Sequence, residues 1–245
     1  MIGDAKFTLR ALINEVRVQT NGGVPKNNAL NDELEAGRKV FWDQFRPWME
    51  SKEKPINPYR VYGDLMKVLD PKKSFVTADS GNTRDQTSTV YQAEIPRGYM
   101  GWGNVSTLGF SLPAAVAAKL AYPDRQCVNV TGDAGVGYMM GTFESVYRYK
   151  IGVTTVHIAN GGYAGYGPGF WGAGHDPYTY VVSKYPDVSM AKMAAGVGWH
   201  SETVSEPDEV IPAFKRAFAE NGKGRPSYLE FISSQHPVHG GWVGR

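Results

Sequence analysis

Two oxygen-bearing side chains, Asp133 and Asn160, stand 27 positions apart, and each follows a run of strand-forming residues. Cys127-Val128-Asn129-Val130 leads into Thr131-Gly132-Asp133-Ala134-Gly135, and Val153–Ala159 leads into Asn160-Gly161-Gly162-Tyr163. The interval fits one helix plus one strand, so in a parallel arrangement both residues return to the same edge of a sheet. A carboxylate, an amide oxygen and a nearby backbone carbonyl are the hard oxygen donors that suit Mg²⁺. Glycines beside them let main-chain N–H groups approach a diphosphate, and the helix that follows adds its positive end. One divalent metal with one diphosphate is the occupant these residue types suit. Taken singly, Gly-Asp after a strand is also a common turn, and Asn-Gly-Gly a common loop. Order, spacing and placement together carry the specificity.

The elements that must position these residues alternate from Pro58 onward. A helix is predicted over 58–69, begun by Pro58, with Val61, Leu65, Met66 and Leu69 on one face. Strands are predicted at Ser74–Ala78, 126–131, Val153–Ala159 and 228–232. Further helices are predicted over 112–122, over 138–150 with Phe143, Val146 and Tyr147 inward, and over 207–221 with Val210, Ile211, Phe214 and Phe218 on one face. This alternation predicts an α/β fold: a doubly wound parallel sheet with helices on both faces, its ligand beyond the carboxyl ends of the strands. Residues 1–55 differ. They hold a short amphipathic stretch from Phe7 to Ile13, a polar turn, and a charged helix with several aromatics over 30–50. That pattern makes a poor core of its own. Residues 52–58, with two prolines, read as a linker, which divides the chain into a short helical arm (1–55) and a ligand-binding domain (56–245).

Composition narrows the classes. A net charge of +2 gives no reason to expect nucleic acid or an anionic membrane as partner. No segment approaches the ~18 apolar residues of a membrane span, and the N-terminus lacks a signal peptide's apolar core, so a cytoplasmic location is expected. The single cysteine, Cys127, cannot form an internal disulfide or a cysteine zinc cluster and reads as a small buried apolar residue. Aromatics cluster at Tyr163, Tyr166, Phe170, Trp171, Tyr178 and Tyr180, where they either wall a pocket or pack a glycine-rich surface loop. An unrelated doubly wound nucleotide-binding protein should carry a glycine fingerprint after its first strand, and Ser80-Gly81-Asn82 does not supply one.

Gly132-Asp133-Ala134, with Asn160 downstream, resembles the thiamine diphosphate-binding motif of the acetolactate synthase and pyruvate decarboxylase superfamily, where the third position is usually glycine. Ser106-Thr107-Leu108-Gly109-Phe110 resembles the segment that holds the aminopyrimidine ring, with Leu108 as the wedge beneath the bent cofactor. Ser80-Gly81-Asn82-Thr83-Arg84-Asp85 resembles a cofactor-lining loop, closest to the Asn-Thr-x-Asp pattern of oxalyl-CoA decarboxylases and 2-hydroxyacyl-CoA lyases. The likeness runs from about residue 58 to 231, and the first dozen residues resemble the last strand and helix of that family's middle domain. It implies a C-terminal diphosphate-binding domain. Asp133, Asn160 and the carbonyl of Gly162 would ligate Mg²⁺, and Ala134 and Gly135 would offer N–H groups to the diphosphate. Gly81, Asn82, Thr83, Ser106, Thr107 and Leu108 would orient the ring, and Gly132 and Tyr163 would complete the lining. The family often has serine at the position of Gly135, and its absence here removes one side-chain hydrogen bond.

In that family a glutamate on a separate pyrimidine-binding domain activates the cofactor, and nothing in this chain corresponds to that domain. Glu94 and Glu144 are local carboxylates, and Glu144 reads as an ordinary helix residue. The expectation is a larger subunit that brings the glutamate, an interfacial site, and a hetero-oligomer whose pairs self-associate. Met1 is in keeping with a separate gene, and a piece of a longer polypeptide is the alternative. The expected activity is C–C bond cleavage or formation by a lyase, decarboxylase or carboligase, on a small-molecule carbonyl or acyl-CoA substrate: a 2-hydroxyacyl-CoA, which Asn82-Thr83-x-Asp85 favours, or a 2-oxo acid, as in an acetolactate synthase-like carboligase. A non-catalytic cofactor-binding regulatory subunit is the reading of another class, and retention of Asp133 and Asn160 argues against it. Of the histidines, His175 is a substrate-side proton-shuttle candidate. His157 and His200 read as structural, and His236 and His239 lie in a tail that either closes over the site or packs on the surface.

Overall fold

Strand-forming residues alternate with helices along most of the chain, and the strands pair in parallel throughout the sheet they form. The computed structural model describes residues 3–23, 27–101, 107–162 and 188–235. It divides into two units, Met1–Gln44 and Phe45–Arg245. The division falls ahead of the expected linker, because the end of the second helix belongs to the second unit. There Phe45 is fully buried, with its ring 5.4 Å from Tyr59 and 5.6 Å from Trp48.

In the first unit, α1 (Ala5–Gln19) begins at Asp4, whose side chain accepts from Phe7 N–H at 3.0 Å. It is helical where a strand followed by a helix was expected. Its apolar residues Leu9, Leu12, Ile13 and Val16 share one face and are exposed. The second helix, α2, spans Asn28–Met49.

The second unit continues with α3 (Pro58–Val68), β1 (Ser74–Ala78), α4 (Asn82–Val90), β2 (Tyr99–Met100), α5 (Ser111–Ala121) and β3 (Gln126–Gly132). It ends with α6 (Asp133–Met139), α7 (Phe143–Arg148), β4 (Val153–Ala159), α8 (Met190–Gly196), β5 (His200–Val204), α9 (Val210–Asn221) and β6 (Ser227–Ile232). The six strands lie in the order β2-β1-β3-β4-β6-β5, all parallel. The fold is therefore the expected α/β sheet, with helices on both faces. One face packs Phe75, Cys127, Val153 and Tyr228 against α5, α6, α7 and α8. The other carries Leu229 and Phe231, with Phe231 5.3 Å from Phe214 of α9. Burial pushes the Cys127 thiol up to about 11, which keeps it protonated and inert at neutral pH.

Several sequence expectations shift in detail. The helix expected over 138–150 begins earlier, at Asp133, and is broken by a 3₁₀ turn at Met140–Thr142. Within α7, Phe143 and Val146 are buried while Tyr147, expected inward, is 45% exposed. Similarly, α9 is preceded by a 3₁₀ turn at Pro207–Glu209. The expected linker is partly tied down: Ile56 N–H donates to Ile232 O and Ser234 N–H to Ile56 O, both at 2.9 Å, in a parallel bridge beside the end of β6.

Candidate cofactor and metal site

Strand order decides where chemistry can sit. The chain passes from β1 outward to β2, then returns to the other side of β1 as β3, so the carboxyl ends of β1 and β3 border a crevice. Asp79 follows β1, Asp133 follows β3, and Asn160 follows β4. All three lie at this one edge.

Asp133 is held by its neighbours across the β3–β4 boundary. Its Oδ2 accepts from Asn160 N–H at 3.2 Å and Gly162 N–H at 3.0 Å. Its Oδ1 lies 3.1 Å from His157 Nε2. Gly161 and Gly162 have φ values of 85° and 148°, which side chains disfavour, so two glycines are what lets the loop fold back over the carboxylate. The Asn160 side chain completes the group. One terminal atom of its amide lies 3.0 Å from Gly162 O and 3.1 Å from Asp133 Oδ2. With nitrogen in that place, the amide donates to both. With oxygen there, a carboxylate oxygen, an amide oxygen and a backbone carbonyl converge, an arrangement that a cation among them makes favourable. The sequence-predicted donors are thus brought together, and their chemistry fits Mg²⁺. Among the described residues no group of three His, Cys, Asp or Glu side chains could hold a metal.

The segment expected to cradle a diphosphate packs tightly. Ala134 and Gly135 are buried in the first turn of α6, where N–H groups have no acceptor within the helix. A Cβ on Gly135 would sit 2.3 Å from Thr131 Oγ1 and 2.9 Å from the Asp79 carboxylate. Glycine there answers the presence of Thr131 and Asp79, and a serine would have no room without their moving.

Asp79 is a site residue that the sequence reading missed. It is fully buried. Its Oδ1 accepts from Ser80 N–H at 2.9 Å and Gly109 N–H at 3.0 Å, and its Oδ2 accepts from Ser111 N–H at 2.9 Å. The carboxylate therefore clasps the turn that carries Leu108 and Gly109 to the end of β1. Asp in a strand-end Thr-Ala-Asp-Ser run was a signal that could have found it, because a buried carboxylate requires several donors. His157 was also underrated: it is buried in β4, as a structural residue would be, yet its ring reaches the Asp133 carboxylate.

Other expected residues fall as follows. Asn82, Thr83, Arg84 and Asp85 form the first turn of α4, not a loop, and Gly81 caps it at φ 99°. Thr83 is buried with its Cγ2 near Gly132, which joins this turn to the β3 end. The Asn82 Nδ2 atom is buried and lacks a hydrogen-bond partner among the described residues, so it is free to donate to a ligand. Thr107 is exposed and Leu108 half-buried beside the Asp79 clasp. His200 pairs with Glu202 at 2.9 Å on the outermost strand. Glu144 is exposed and bonded to Arg148 one turn on, as a surface helix residue. Ser106, Tyr163, His175, His236, His239 and the rest of the aromatic cluster lie outside the described residues. Among the described residues no helix is long and apolar enough to cross a membrane.

Known proteins share this sequence and fold. The acetolactate synthase large subunit IlvG of Mycobacterium tuberculosis is 28% identical over 239 residues, covering 95% of this chain and 40% of that protein. The 2-hydroxyacyl-CoA lyase of Arabidopsis thaliana is 26% identical, covering 89% of this chain and 39% of its own length. The chain thus spans about 40% of the length of these curated relatives. Among solved structures, the thiamine diphosphate-dependent 4-hydroxybenzoylformate decarboxylase of Rhodococcus jostii superposes with a TM-score of 0.64 at 26% identity, over 75% of this chain and 33% of that one. The family described as "Thiamine pyrophosphate enzyme, C-terminal TPP binding domain" matches residues 79–231, from the Asp79 clasp to the end of β6. Fold, strand-end donors and family match meet on the same residues, and the chain belongs to the thiamine pyrophosphate enzymes as their C-terminal TPP-binding domain.

Proposed function

We propose that this chain binds the diphosphate of thiamine diphosphate through Mg²⁺ and forms half of the active site of a C–C bond lyase, decarboxylase or carboligase. The observation that carries the reading is the convergence of Asp133 Oδ2, the Asn160 amide and Gly162 O within about one hydrogen-bond length of each other. Asp133, Asn160 and Gly162 O would hold the metal, whose role is to anchor the diphosphate. Ala134 and Gly135 N–H groups would meet the phosphate oxygens. Asn82, Thr83 and the Leu108 turn, fixed by Asp79, would set the ring geometry. When bound, the cofactor supplies a carbanion that adds to a substrate carbonyl. The residues of this chain bind and orient the cofactor and shield it from water.

The glutamate that activates the cofactor in this family would come from a pyrimidine-binding region outside this chain, carried by a larger partner. The substrate class is a 2-hydroxyacyl-CoA or a 2-oxo acid, in keeping with relatives named as a 2-hydroxyacyl-CoA lyase and acetolactate synthases. The test is a titration of thiamine diphosphate with Mg²⁺, alone and with a polypeptide bearing the pyrimidine-binding region. Tight binding and turnover are expected for the pair. Undiminished binding by Asp133→Ala would remove the metal assignment, and turnover by this chain alone would remove the partner.

A further inference from the structure

We propose that His157 is a positioning residue that fixes which oxygen of Asp133 faces the cation donors, and that Tyr228 sets the tautomer that lets it do so. The inference rests on the reading of Asp133 as a Mg²⁺ ligand and deepens it.

His157 sits in β4, in an otherwise apolar and β-branched run. A polar ring buried at 1% exposure requires partners on both nitrogens. Nε2 lies 3.1 Å from Asp133 Oδ1, and Nδ1 lies 2.9 Å from the Tyr228 hydroxyl. Glu230 is the other anion nearby, with Oε1 3.8 Å from Nδ1, beyond hydrogen-bond reach. Its carboxylate is already occupied. Oε1 accepts from Met190 N–H at 2.8 Å and Ala191 N–H at 3.3 Å, and Oε2 from the Ser189 and Thr203 hydroxyls at 3.0 and 2.9 Å.

The order of protons follows. Tyr228 is fully buried, and burial together with the Glu230 and Asp133 charges holds its phenol protonated. That proton must be donated, since a buried hydroxyl without an acceptor is destabilising. The acceptor within reach is His157 Nδ1. A bare Nδ1 places the ring proton on Nε2, aimed at Asp133 Oδ1. The opposite tautomer would set a nitrogen lone pair against the carboxylate and strand the phenol proton. Oδ2 is held by the Asn160 and Gly162 N–H groups, and the His157 bond to Oδ1 from the core side fixes the other end of the carboxylate. A carboxylate ordered before the cation arrives loses less freedom on binding it.

Two measurements on the full chain test this. The first is the ¹⁵N spectrum of the histidine rings in the metal-free protein, with the His157 signals assigned by their loss in His157→Gln. A proton on Nε2 and a bare Nδ1 are expected, and the reverse tautomer overturns the proposal. The second is Mn²⁺ binding in the presence of thiamine diphosphate and the polypeptide bearing the pyrimidine-binding region, read from the free-ion paramagnetic resonance signal. His157→Val is expected to weaken Mn²⁺ binding by about 10- to 100-fold, the usual effect of losing a partner behind a metal ligand. His157→Gln, which keeps one N–H donor for Oδ1, is expected to recover most of the loss, and Tyr228→Phe to fall between. Mn²⁺ binding by His157→Val equal to wild type, while Asp133→Ala loses it, overturns this proposal and leaves the metal assignment standing. Binding unaffected even by Asp133→Ala overturns the metal assignment itself. Glutamine as weak as valine, with matched melting temperatures, reduces His157 to a packing residue and also overturns the proposal.

Discussion

The two edges of the sheet each hold an asparagine at a strand junction, and they are used in opposite ways. At the amino-terminal edge Asn221 is buried and fully bonded. Its Oδ1 accepts from Gln126 Nε2 at 2.7 Å and from the Thr154 hydroxyl. Its Nδ2 donates to Val153 O, Arg225 O and Ser227 Oγ at 3.0 to 3.1 Å. This one amide ties β3, β4 and β6 to the end of α9. At the carboxyl edge Asn160 is half-buried and faces two oxygens, and Asn82 leaves a buried amide nitrogen without a partner among the described residues. A structural asparagine closes every hydrogen bond it can make. A binding asparagine would leave part of its capacity pointed at something else, as Asn82 does.

The contrast can be broken by substitution. Asn221→Ala should be the most damaging change, lowering stability by about 2–4 kcal/mol because it strands several buried donors and acceptors at once. Chemical denaturation would show this, while Mn²⁺ and thiamine diphosphate affinity stays near wild type in the folded protein. A loss of stability no larger than that of Asn160→Ala would erase the distinction. Gly135→Ser comes next, at about 1–3 kcal/mol, because the added Cβ must displace Thr131 and Asp79. Restoration of the melting temperature by adding Thr131→Ala would sharpen that account. Asn160→Ala should cost less than about 1 kcal/mol of stability and yet weaken Mn²⁺ binding at least about tenfold, the inverse of the Asn221 outcome. The smallest effect lies on the outermost strand. Burial works to raise the Glu202 carboxyl, but the Arg216 bonds at 2.6 and 2.9 Å and the neighbouring His200 outweigh it, so the net shift is downward. A lowered carboxylate stabilises the fold above its ordinary range and loses that contribution as pH falls through the folded value. Glu202→Gln should therefore flatten the acid side of a stability–pH profile by less than about 1 kcal/mol, with no change at the cofactor edge.

Much of this was legible in the sequence because period and spacing report backbone geometry directly. The strands Ser74–Ala78 and Val153–Ala159 stand where their β-branched runs place them, and Asp133 and Asn160 meet because one helical connection separates two adjacent parallel strands. What could not be read were features that depend on contact across the fold. The break at Met140–Thr142 has no proline to announce it, and Tyr147, one residue past the buried Val146, is 45% exposed. The Asn82 to Asp85 segment is polar enough to pass for a loop, and it becomes a helix because Thr83, Gln86, Thr87 and Val90 bury against the sheet. Strand β2 has only two residues, too few for any pattern. Asp79 and His157 take their roles from partners 30 and 24 positions away, Gly109 and Asp133, and no local pattern encodes such pairings.

The crowding at Gly135 also constrains how this site can change over generations. Thr131, Asp79 and Gly135 share one small volume, so their substitutions are epistatic. A lineage gaining a hydroxyl at position 135 would have to trim Thr131 beforehand, because the reverse order passes through a strained ancestor. A drifting population would therefore acquire the pair in one temporal sequence far more readily than the other.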